Sequence, residues 1–152
     1  MITAQDERRH PAGPGEYWSE SYYFSFYDEA RDIGGFFRLG LEENRQQANM
    51  WCHLIKDGKP IYNRFRLNLP YSATGLDDVT VGGLRLQLLQ PLKTIRLTFS
   101  DRHLQFDLLW EGYHDVFDMR EAMGELPDDV AKGHYEQRAR IEGRIVFGGG
   151  ML

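Results

Sequence analysis

Tyr113-His114-Asp115, with Asp118 three residues further on, and His134-Tyr135-Glu136 are the two places where imidazole, carboxylate and phenol groups crowd together in this chain. A histidine and a carboxylate facing an apolar cavity have pKa values drawn towards neutrality by burial and hydrogen bonding, so such a pair can protonate an alkene or polarise water. His114, Asp118, His134 and Glu136 are accordingly the candidate catalytic residues. The same side chains can equally cap backbone groups in a loop. The two clusters bound Glu111–Gly133, the one long stretch without strand periodicity. A connection of that length usually covers or completes a site, and if it folds over the mouth of a barrel its two ends meet.

A second set of residues could hold a ligand without reacting with it. Tyr22, Phe24, Phe26, Phe37, Trp51 and His53, together with Tyr113 and Tyr135, are the candidate ligand-binding residues. In a closed barrel, core and pocket wall are the same inward positions, so an aromatic set of this kind serves either purpose. His53 is open to both readings, ligand contact or hydrogen-bonded strand residue. Arg64, Arg66, Arg85 and Arg96 either meet a ligand's acidic group or lie on solvated faces. No nucleophile elbow, phosphate-binding glycine loop, metalloprotease helix or dinucleotide fingerprint occurs, and no Cys/His cluster has zinc spacing, so neither metal nor cofactor is expected.

The chain as a whole restricts the partners. A net charge of -5 argues against a general binder of nucleic acid, because that affinity comes from Lys and Arg neutralising phosphates. No run approaches the roughly 20 apolar residues of a spanning helix, so no integral membrane segment is expected. The N-terminus lacks the apolar core of a signal peptide, and the lone Cys52 cannot form an intrachain disulfide; both favour a reducing, cytoplasmic setting. The expected partner is a hydrophobic small molecule.

The elements that must position these residues are strands. Aromatics make up 13% of the chain and mostly fall in alternating runs, which suits pleated surfaces. The polar, Pro- and Gly-rich residues 1–16 predict a flexible N-terminal arm, and 17–152 one β domain. Period-two patterning predicts strands over 21–28, 36–41, 48–55, 61–67, 79–88, 93–99 and 103–110, with Asp57-Gly58 as a hairpin turn and Gly82-Gly83 as a bulge or bend. Short helical turns are expected at Met119–Met123 and Asp128–Lys132. A long last strand, His134–Phe147, places Tyr135, Gln137, Ala139, Ile141, Gly143, Ile145 and Phe147 on one face and charged residues on the other. The expected fold is all-β: an antiparallel barrel or part-barrel of about eight strands with one long irregular segment.

Four segments in this order carry a resemblance: Trp18-Ser19-Glu20-Ser21-Tyr22-Tyr23-Phe24-Ser25-Phe26-Tyr27-Asp28, Gly34-Gly35-Phe36-Phe37-Arg38-Leu39-Gly40, Val81-Gly82-Gly83-Leu84 and His134-Tyr135-Glu136-Gln137. Together they are similar to the N-terminal half of the carotenoid 1,2-hydratase (hydroxyneurosporene synthase)-like proteins, over roughly Tyr17 to Gly149. That resemblance implies a lipocalin-like barrel associated with lipids, isoprenoids or sterol-like molecules. It implies hydration or cyclisation of isoprenoids in some branches, and the alternative activity is accordingly that of a hydratase or isomerase acting on an unsaturated isoprenoid or lipid by acid–base chemistry. It also implies a second β-barrel half beyond Leu152, so that a homo-oligomer or a second half completes the structure as a partner.

Overall fold

Residues 2–124 and 133–152 are described in the computed structural model; the helical turn expected at Asp128–Lys132 lies outside the described residues. The first half of the chain is an antiparallel meander, β1 (Glu20–Asp28), β2 (Ile33–Glu42), β3 (Gln47–Lys56) and β4 (Lys59–Leu69), hydrogen-bonded in the order β1-β2-β3-β4. Period-two alternation decides which face each residue takes. Met50, Cys52 and Leu54 on β3 are buried, which turns Trp51 and Ile55 outward. Asp57 and Gly58 both have positive φ and join Lys56 to its partner Lys59, the two-residue hairpin the sequence announces.

The chain then changes sheets at Pro70. β5 (Tyr71–Thr74), β6 (Asp78–Val81), β7 (Leu84–Gln90), β8 (Thr94–Ser100), β9 (Leu104–Gly112), β12 (Ala139–Phe147) and β13 (Gly150–Met151) form a second antiparallel sheet in the order β13-β12-β9-β8-β7-β6-β5. Between β9 and β12 lie β10 (Phe117–Asp118), the helical turn α2 (Met119–Met123) and β11 (Tyr135–Glu136), with β10 and β11 paired as a two-stranded ribbon. The fold is all-β and antiparallel. Among the described residues the two sheets do not close into a barrel; they face each other across one apolar core, with Phe37, Leu39, Met50 and Leu54 on one side and Leu84, Leu86, Leu97 and Leu104 on the other.

Several local expectations are corrected by packing. Residues 79–88 are two strands, because Gly82 and Gly83 both adopt positive φ and turn the chain back on itself, pairing Val81 with Leu84. Gly34-Gly35 belongs to β2 and not to the preceding turn: a Cβ on Gly35 would sit 2.1 Å from the Phe26 ring, so the glycine makes room for an aromatic side chain of β1. The last strand is divided into β11 and β12, and only β12 pairs with β9.

The N-terminal segment also differs from a flexible arm. Thr3 caps a single helical turn, α1 (Ala4–Glu7), in a capping box with Asp6. Ile2 and Glu7 are buried. Arg9 reaches Glu43 Oε1 at 2.5 Å and the Gly75 carbonyl at 2.9 Å, Arg8 pairs with Asp77 at 3.0 Å, and His10 meets Glu20 at 2.6 Å. These polar partners, rather than apolar area, hold a segment whose composition alone predicts little burial.

Candidate functional site

The ribbon is where the two polar clusters meet. β9 ends at Gly112, a position where a Cβ would lie 2.6 Å from the Gln137 amide, so the absent side chain lets Gln137 lie across the strand. Gln137 Nε2 donates to the carbonyls of His114 (2.9 Å) and Leu92 (3.0 Å). Pairing of Phe117 with Glu136 and of Asp118 with Tyr135 brings the 113–118 and 134–138 segments side by side, and the Met119 amide donates to the His134 carbonyl at 3.0 Å. His114, Asp115, Phe117, Glu136, Gln137 and Arg138 line a depression of about 440 Å³ at this junction, open to solvent.

Each candidate acid–base group has a definite place there. His114 is exposed, with Nδ1 3.1 Å from the Asp115 carbonyl. His134 Nε2 lies 3.7 Å from Glu136 Oε1, and both side chains face water. Asp118 is only 4% exposed, yet it caps α2, accepting from the Arg120 amide at 3.1 Å and from the guanidinium at 2.7 and 3.0 Å. The Arg120 hydrogen bonds hold its carboxyl down at about 2, which favours the ionised, capping form of Asp118. The structure therefore brings His114, Asp118, His134 and Glu136 to one ribbon, and gives them solvated or capping roles.

The ligand-binding candidates other than Tyr113 separate into three places. Phe24, Phe26 and Phe37 point into the core, where rings meet rings: Phe24 on Trp110 at 5.3 Å, Phe26 on Phe37 at 6.1 Å, and Phe37 on Phe106 at 4.5 Å. The expectation that Trp51 lines the same interior fails, because the alternation that buries Met50, Cys52 and Leu54 sends it, and His53 with it, to the outer face. There Trp51, 36% exposed, is flanked edge-on by Phe36 at 4.7 Å and Phe65 at 5.7 Å, with its indole N–H donating to Asn63 at 2.8 Å. Tyr113 is exposed at the ribbon.

Tyr22 and Tyr135 form the third place, under the N-terminal segment. The Tyr135 hydroxyl donates to Glu7 Oε1 at 3.0 Å. Burial, followed by the neighbouring Glu7 carboxylate, pushes the Tyr135 phenol far above its ordinary value, so it remains a donor; burial and Glu20 do the same for Tyr22. Glu7 also accepts the Leu92 amide hydrogen.

Glu7, Phe117, Gln137 and Arg138 are site residues that the sequence reading did not single out. Gln137 had a signal, since it is a polar residue on the apolar face of the last strand; Glu7 had none beyond an acidic first helical turn. Among the described residues no three His, Cys, Asp or Glu side chains converge as a metal would need, and no helix is long and apolar enough to cross a membrane. In chemical terms the depression offers an apolar wall, Phe117, beside amide, guanidinium, imidazole and carboxylate groups.

The family described as Domain of unknown function (DUF7064) matches residues 3–152, and the chain belongs to that family. No curated protein and no solved structure matches the chain.

Proposed function

We propose that this member of the DUF7064 family is a binding module for a hydrophobic small molecule with a polar end, of the lipid, isoprenoid or sterol-like class, seated at the β10–β11 ribbon. One observation carries the reading: six residues from segments about twenty residues apart line a solvent-open depression of about 440 Å³, a volume within the range of small-ligand pockets. Phe117 offers the apolar contact, Arg138 and His114 offer hydrogen bonds to a hydroxyl or carboxylate end, and Gln137, whose two amide hydrogens are taken by the His114 and Leu92 carbonyls, offers its Oε1 as an acceptor for a hydroxyl. The similarity of the four sequence segments to the carotenoid 1,2-hydratase-like proteins supports the isoprenoid class. Binding is favoured over hydration because His114, His134 and Glu136 face water and Asp118 is engaged by Arg120, so no acid–base pair stands in an enclosed apolar site. A cytoplasmic setting fits the buried Cys52, whose thiol is raised by burial and kept from reactive thiolate form.

Titration with retinol, an isoprenoid alcohol whose fluorescence reports an apolar environment, tests the proposal. Saturable binding is expected, with Phe117→Ala weakening the Kd about tenfold and Trp51→Ala, on the outer face of the other sheet, leaving it unchanged. A linear, unsaturable signal from folded protein, or equal effects of the two substitutions, overturns it.

A further inference from the structure

The two bonds accepted by Glu7 lead by separate routes to residues that line the depression. On one side Tyr135 donates to Glu7 Oε1, and its chain neighbour Glu136 lines the depression, since successive strand residues point to opposite faces. On the other side the Leu92 amide donates to Glu7 Oε2, and the carbonyl of that same residue accepts from Gln137 Nε2, which also ties down the His114 carbonyl. Leu92 has a positive φ of 59°, so its backbone is held in a conformation that a non-glycine residue adopts only when its surroundings fix it. A carboxylate only 3% exposed therefore connects α1 to both segments that shape the depression. The segment carrying it is fastened independently to both sheets: through Arg9 to Glu43 after β2, through His10 to Glu20 on β1, and through Arg8 to Asp77 before β6.

We infer that Glu7 is a positioning residue for the ligand site, and that the N-terminal segment is the strap that sets the spacing between the β10–β11 ribbon and the Leu92 turn. The inference rests on the proposed binding function for its ligand, a hydrophobic molecule with a polar end, but its structural half does not. Release of the strap removes an acceptor from two part-buried donors at once, and each then has to find water or move. Gln137 follows, because its Nε2 donates to the Leu92 carbonyl, and the His114 carbonyl follows Gln137, because the same Nε2 donates to it. A ligand whose fit depends on the ribbon spacing is thus bound less tightly when residues 2–10 come away.

Amide hydrogen exchange on the full chain, comparing wild type with Glu7→Gln and Tyr135→Phe, tests this. Glu7→Gln exchanges one acceptor oxygen for a donor; exchange is expected to rise in peptides covering 88–95 and 133–140 while β3, in the other sheet, keeps its protection. Tyr135→Phe cuts one connection only and raises exchange in 133–140 alone. The retinol Kd is expected to weaken about fivefold in Glu7→Gln. No change in either peptide, or a rise shared equally with β3, overturns the strap; a local rise with an unchanged retinol Kd overturns the positioning role while leaving the ligand site standing. If wild type itself fails to bind retinol, the proposed function fails and the exchange data still decide whether the strap exists.

Discussion

At Asp101 four donors meet one carboxylate. Tyr62 Oη and Arg64 Nη1 approach Oδ2 at 2.6 and 2.7 Å, and the His103 and Leu104 amides approach Oδ1 at 2.7 and 2.8 Å. Burial alone would raise this carboxyl, but the hydrogen bonds outweigh it and hold it well below the ordinary carboxylate range. A lowered folded-state pKa means that the stabilisation is present above the ordinary value of 3.8 and is lost as pH falls through the folded value. Asp101→Asn is therefore expected to cost about 2 kcal/mol at neutral pH, and the gap from wild type in urea melts should narrow steadily below pH 3.8. A gap that stays constant down to the acid limit contradicts the assignment. The inward and outward rings give a second comparison at this scale. Phe37, with no exposure, is expected to cost about 4 kcal/mol on replacement by Ala, whereas Trp51→Ala is expected to cost about 1 kcal/mol, the worth of its edge-on ring contacts.

Turns decide the order of the elements, and two of them separate conformational strain from crowding. Gly58 and Gly82 both have positive φ, at 69° and 56°. A Cβ at Gly58 meets nothing within 4 Å, while one at Gly82 would come within 2.6 Å of Leu69 Cδ1 and 2.8 Å of Met50 Sδ. Gly58→Ala should thus cost only the left-handed penalty of roughly 1 kcal/mol. Gly82→Ala adds displacement of two side chains at the corner where the chain changes sheets, and about 2–3 kcal/mol is expected. Equal losses in thermal melts would show that Leu69 and Met50 move aside without cost. The β10–β11 ribbon is the least self-sufficient element, with two residues on each side, and it depends on Tyr135, Gln137 and the Met119 amide to stay in place.

For the whole molecule, the two sheets share a single core cluster running from Phe24 on β1 to Ile145 on β12. Neither sheet buries that face alone, so unfolding is expected as one transition, with the fluorescence of Trp110 and the far-ultraviolet circular dichroism changing together. Two separated transitions would mean that one sheet survives without the other. The strap contributes at this scale as well, since its ion pairs reach both sheets. Deleting residues 2–10 should lower the Tm by several degrees while leaving the transition single.

Alternation and turn residues suffice, from the residues alone, for antiparallel strands and the Asp57-Gly58 hairpin, and the break in alternation after β9 leaves room for the helical turn at Met119–Met123. Period two is a local property of the backbone, so it survives in the sequence. What it leaves open is which of two opposite faces is inside, and there Trp51 was placed wrongly: Met50, Cys52 and Leu54 claim the core only once β4 and the second sheet are present. The juncture of the two polar clusters is one of two outcomes that the sequence leaves open, whereas nothing in it points to the strap. Glu7 meets Tyr135 across 128 residues and Leu92 across 85, and no local pattern records contacts of that separation. Two sheets facing each other without closing into a cup were likewise decided by the long-range sheet order and by rings filling the space between them.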